Sequence, residues 1–136
     1  MITFVSNVSL VKKSFIEIEY DPQNEWLYVN WIGSFDEERG MTGCEDVLLA
    51  LQKYQVNKII NDNRNVVGSW DEAVSWLVNS WFPRFLGVGC FYIAWVQSPC
   101  LESQASMAQT LQFEIPNVTI LVFNDVETAK NWLNEM

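Results

Sequence analysis

The order of the periodic segments constrains this chain most: one hairpin with a two-residue period, then helix and strand signals in alternation. Phe15 to Tyr20 sets Ile16, Ile18 and Tyr20 against Glu17 and Glu19, the pattern of a half-buried strand. Asp21-Pro22-Gln23-Asn24 is turn chemistry, because proline pre-sets φ and Asp and Asn side chains bond the local backbone. Glu25 to Gly33 returns as a second strand, apolar or aromatic on both faces, and Ile2 to Leu10 adds a candidate edge strand. Ser34 and Glu37 then form a capping box for a helix to about Tyr54, with Met41, Cys44, Val47, Leu48, Leu51 and Tyr54 as its buried stripe. Gly40 and Gly43 each cost that helix about 1 kcal/mol, which predicts close packing at both.

Lys58 to Asp62 reads as a short strand. Ser69 with Glu72 caps a helix that Pro83 stops after Phe82. Cys90 to Gln97 is a continuous apolar strand, as expected of one buried on both faces. A helix from Pro99 to about Phe113, a buried strand from Val118 to Phe123 and a final helix capped by Asp125 complete the series. Alternation with short connections predicts an α/β fold: a mixed, mostly parallel sheet with an N-terminal hairpin and about four helices. No repeat or linker interrupts it, so residues 1–136 read as a single domain.

Composition narrows the chemistry. There is no histidine, which excludes Ser-His-Asp and Cys-His nucleophiles, imidazole metal sites and a histidine pH switch. A net charge of −9 with unclustered cations repels nucleic-acid phosphates and anionic lipid. Three cysteines, Cys44, Cys90 and Cys100, contain no C-x-x-C pair and read as reduced thiols, Cys100 in a loop before a helix. The longest apolar run, Cys90 to Val96, falls far short of the ~20 residues a membrane span needs. Lys12-Lys13 follow the N-terminal apolar residues, the wrong order for a signal peptide. The expected compartment is the cytoplasm, with neither cofactor nor metal.

In open α/β sheets ligands bind beyond the carboxyl ends of the parallel strands. Asp62-Asn63-Arg64-Asn65 through Ser69, Gln97-Ser98-Pro99-Cys100 and Asn124-Asp125 converge there. Arg64 could pair with Asp62 or grip an anion through two donors. Each residue also has a structural reading: Asp62 and Asn63 satisfying loop backbone, Ser69 capping its helix, Arg64 pairing on an acidic surface. Projected at about 100° per residue, the Ser69 helix places Trp70, Ala73, Val74, Leu77, Val78 and Trp81 on one arc. Trp76 and Phe82 fall outside it, so Trp76 is either covered by a neighbouring loop or offered to a partner. Trp31, Trp70, Trp81, Trp95 and Trp132 suit a core; Trp26 and Trp76 remain to be explained.

The hairpin ending in W-I-G, the strand and loop K-I-I-N-D-N-R, the helix S-W-D-E-A-V-S-W-L and the closing V-F-N-D-V-E-T-A-K-N-W-L resemble the STAS, or SpoIIAA-like, family of bacterial domains. The resemblance runs from about Phe15 to Leu133. It implies a β-α superhelix shared with anti-sigma-factor antagonists and with CRAL-TRIO-type lipid-binding relatives. In the antagonist branch a serine after the Asp at the central strand end is phosphorylated and switches binding. That Asp matches Asp62, but Asn63 and Arg64 follow, and the nearest serine on that side is Ser69.

Two functions follow as expectations. The first is a non-enzymatic regulatory domain that binds a protein partner or a second copy through the 62–69 segment and the helix after it. Its site residues would be Asp62, Asn63, Arg64, Asn65, Ser69, Trp76 and Ser98. The second is a carrier or sensor of an apolar small molecule in an aromatic-lined pocket. An enzyme using Asp62, Arg64 and Cys100 is a third reading, which no pair of carboxylates supports.

Overall fold

A computed structural model describes residues 6–136. Six strands form one sheet in sequence order: β1 (Val8–Lys12), β2 (Ile16–Asp21), β3 (Trp26–Gly33), β4 (Lys58–Val66), β5 (Tyr92–Val96) and β6 (Thr119–Phe123). The first three are antiparallel neighbours, and β3 to β6 pair in parallel. Of the expected edge strand at Ile2 to Leu10, residues 2–5 lie outside the described residues, and β1 is the part observed. The turn behaves as its residues require: Asp21 Oδ1 accepts from the N–H groups of Gln23 and Asn24 at 3.1 and 3.0 Å.

Four helices complete the fold: α1 (Glu37–Tyr54), α2 (71–87), α3 (Leu101–Leu111) and α4 (Val126–Asn134). A sheet that adds strands in one direction through crossovers of one hand must carry their helices on one face. Accordingly Ile59, Ile93, Trp31 and Trp95 share a core with Cys44, Val47 and Leu51 of α1, Trp81 and Phe85 of α2, and Met107 of α3. The opposite face is covered by α4, whose Ala129 and Leu133 pack on Trp26, Ile60, Ala94 and Val96. Trp26 is therefore a core residue, buried under α4 to 1% exposure.

Several local expectations change. The α1 cap is Asp36, which accepts from the Arg39 N–H at 2.8 Å, and not Ser34. Met41 lies at the exposed side of that helix. Pro83 does not stop α2. A π-helical stretch, Leu77–Trp81, precedes it, and Pro83 occupies the first turn of the succeeding α segment Phe82–Gly87, where no N–H is needed. The extra residue of the π stretch also turns Phe82 into the core, where it is fully buried. β6 is an edge strand with Leu121 and Val122 exposed, not a strand buried on both faces. β4 runs to Val66, so Asp62 to Asn65 are strand and not loop.

Candidate functional site

Strand alternation sends Asn61 and Asn63 of β4 to the face that carries Trp31 and Trp95, and Asp62 to the other. Beyond Asn63 the β3–β4 register slips by one residue: Asn30 pairs with Asp62, but Ile32 pairs with Asn65. The slip brings Val66 back to the first face as a buried residue. Such irregularities re-aim side chains at strand ends. Here it leaves a hollow beyond the carboxyl ends of β3, β4 and β5, roofed by the first turns of α1 and α2.

The hollow is a cavity of about 370 Å³. Five of the seven tryptophans line it: Trp31, Trp70, Trp76, Trp81 and Trp95, with Phe35 at one end. An engineered apolar cavity of about 150 Å³ accepts benzene, so this volume admits a two-ring molecule. Trp70 stacks on Trp95 with centroids 5.9 Å apart, and Trp31 meets Trp81 edge to face at 6.4 Å. The indole N–H of Trp31 donates to Asn61 Oδ1 at 2.6 Å, and that of Trp81 to the Cys44 carbonyl at 3.0 Å. Those walls are internally satisfied.

Two lining groups are not. Among the described residues, Asn63 Oδ1 and Trp95 Nε1 have no hydrogen-bond partner, at 8% and 2% residue exposure. A buried, unpaired polar group costs about 1–3 kcal/mol. Here the acceptor and the donor both belong to residues that line the same cavity. At the mouth stand four exposed carboxylates, Asp36, Glu37, Asp71 and Glu72, and no lysine or arginine lines the cavity among the described residues. The Ser106 hydroxyl donates to Asp71 at 2.6 Å and, with Gln109 and Ser69, holds its carboxyl below the usual range.

The expected site residues divide between the two faces. Asn63, Ser69 and Trp76 line the cavity, Trp76 half-buried. Ser69 Oγ accepts from the Asp71 N–H at 3.2 Å, a turn bond in place of the expected capping box. Asp62 is fully buried on the other face, taking the Tyr28 hydroxyl and the Arg64 guanidinium, the latter at 2.9 to 3.1 Å. Burial first, and then Asp62, pushes the Tyr28 phenol up to about 12. Asn65 donates to Asn30 at 3.0 Å. Ser98 is buried and donates to the Val66 carbonyl at 2.7 Å, which ties β4 to the segment before α3. Cys100, the residue before α3, accepts from the Gly68 N–H at 3.4 Å. Backbone N–H groups, those of Ser103 and Gly68 foremost, lower its thiol from the ordinary value.

Sequence reasoning missed Asn61 and the mouth carboxylates, and it counted Trp31, Trp70, Trp81 and Trp95 as plain core. The available signal was the pair Asn61 and Asn63, two residues apart in a strand whose flanking strands carry tryptophan. Among the described residues no three His, Cys, Asp or Glu side chains converge as a metal site would require, and no helix is long and apolar enough to cross a membrane. No family model, curated protein or solved structure matches the chain.

Proposed function

We propose that this domain binds a small, largely aromatic molecule in the tryptophan-lined cavity and acts through that occupancy as a sensor or carrier, without catalysing a reaction. The carrying observation is the pairing of volume with unmet polarity: an apolar hollow whose only unpaired buried side-chain atoms, among the described residues, are the Asn63 acceptor and the Trp95 donor. A cavity serving packing alone gains nothing from either group. Sites for small molecules join apolar walls to a few placed polar groups.

The resemblance to STAS domains enters this proposal through the regulatory role it implies. After Asp62 the next residue is Asn63, a cavity wall without a hydroxyl, so a phosphorylation switch at that point lacks its acceptor. Occupancy of the cavity is the signal available instead. A second reading, docking of a partner protein or a second copy on α2, is favoured by Trp76, half-buried at the mouth.

One experiment addresses both. Titrating 1-naphthaleneethanol by calorimetry should give saturable one-to-one binding to the wild type and a loss of at least about tenfold in Trp76→Ala. Sedimentation velocity of the same two proteins reads association. Absent binding with association lost in the variant supports docking; absent binding of this alcohol and of its amine and carboxylate analogues, with unchanged association, sinks both readings.

A further inference from the structure

We propose that the cavity selects an organic cation: an aromatic amine, protonated at neutral pH, in preference to a neutral or anionic molecule of the same shape. This rests on the reading of the cavity as a ligand site, and it names the charge and donor chemistry of the occupant.

Three independent features agree. Five tryptophans line the walls, and indole rings attract a cation within about 6 Å of the ring centroid more strongly than the other aromatic side chains. Asn63 Oδ1, buried and unpaired, accepts a hydrogen bond and so asks for a ligand N–H or O–H. An ammonium supplies that donor, a carboxylate cannot, and a quaternary nitrogen has no proton to give. The mouth carries Asp36, Glu37, Asp71 and Glu72 with no lining cation among the described residues.

One effect opposes this. The N-termini of α1 and α2 converge at the mouth, and each helix start is worth roughly half a positive charge. Four full negative charges outweigh two halves, so the field at the entrance remains negative. Arg39, whose guanidinium lies over the Phe15 ring 5.8 Å from the centroid and which is not a lining residue, offsets at most one of those four charges and leaves the sign negative. The net charge of −9 extends the same sign over the whole molecule and lowers the local concentration of anions. The Trp95 N–H asks for a ligand oxygen, ring nitrogen or π face, which an aromatic amine also provides.

The test uses three probes with one ring system: 2-(1-naphthyl)ethylamine, 1-naphthaleneethanol and 1-naphthaleneacetate, titrated by calorimetry into the full chain at pH 7. The amine should bind about tenfold or more tighter than the alcohol, with the acetate weakest. In the double variant Glu37→Gln, Glu72→Gln the alcohol should be unaffected, while the amine's advantage falls to within about threefold, as it should in high salt. An alcohol that equals or exceeds the amine overturns the cation inference and leaves the cavity reading standing. Failure of all three probes removes the cavity reading and this inference together. Unchanged amine preference in the double variant overturns the electrostatic basis.

Discussion

Gly43 is where one missing atom decides how a helix sits. A Cβ there would stand 2.5 Å from Trp31 Cζ3 and 2.8 Å from Cη2, closer than real Cβ contacts come. The indole cannot swing away freely, because its N–H is held by Asn61. Gly43→Ala should therefore destabilise the protein by about 1–3 kcal/mol, measured by urea unfolding, and weaken naphthyl probe binding by moving a cavity wall. Gly40→Ala is the control: nothing lies within 4 Å of its Cβ position, and alanine favours the helix. The sequence marked both glycines as points of close packing. Only the tertiary position of Trp31 separates them, and no local pattern contains that position. The same holds for the seven expected site residues. Their clustering near the strand end was legible, but a strand ended at Asp62 hides the alternation that parts Asp62 from Asn63, and the register slip between Asn30 and Ile32 that follows leaves no trace in composition.

Elements reproduced their periodicity where packing on one face governs them, and departed from it where partners elsewhere do. β4 reads as ending at Asp62 because Asn and Asp are depleted in strands. It continues because Tyr28 and Arg64 satisfy Asp62, Asn30 satisfies Asn65, and Ser98 holds Val66. α2 reads as an ordinary helix to Phe82, and the π stretch that rotates Phe82 inward is invisible to a fixed projection. α4, by contrast, was legible from its cap. Asp125 accepts from the Thr128 N–H at 2.8 Å and the Thr128 hydroxyl at 2.9 Å, and these bonds hold its carboxyl below the usual range. A carboxyl depressed in the folded state contributes stability that is complete above its unfolded value near 3.9 and is lost as pH falls through the folded one. Asp125→Ala should thus lower the urea midpoint at pH 6, and the gap from wild type should shrink toward about pH 2–3. An equal gap at both values would contradict this role for the cap.

At the scale of the whole molecule, the sheet carries two unlike faces: one thick with aromatic side chains under three helices, one closed by α4 over Trp26. Removing the Trp26 indole should cost about 3–5 kcal/mol, the usual range for emptying a fully buried aromatic site. How that cost divides between folding and unfolding rates follows from the strand order. Every strand pairs only with its neighbours in sequence, so the sheet can be laid down from β1 onward without waiting for a distant segment. The antiparallel hairpins close over short turns, whereas each parallel pair from β3 to β6 closes over a helical crossover and forms more slowly. The exception to this sequential assembly is α4, which comes after all six strands and returns to cover Trp26 in the third. That order predicts late docking of α4: Trp26→Ala in stopped-flow measurements should speed unfolding while barely slowing folding. During synthesis on a ribosome, the same order lets the cavity face assemble strand by strand while the far side stays open, with α4 arriving as its lid.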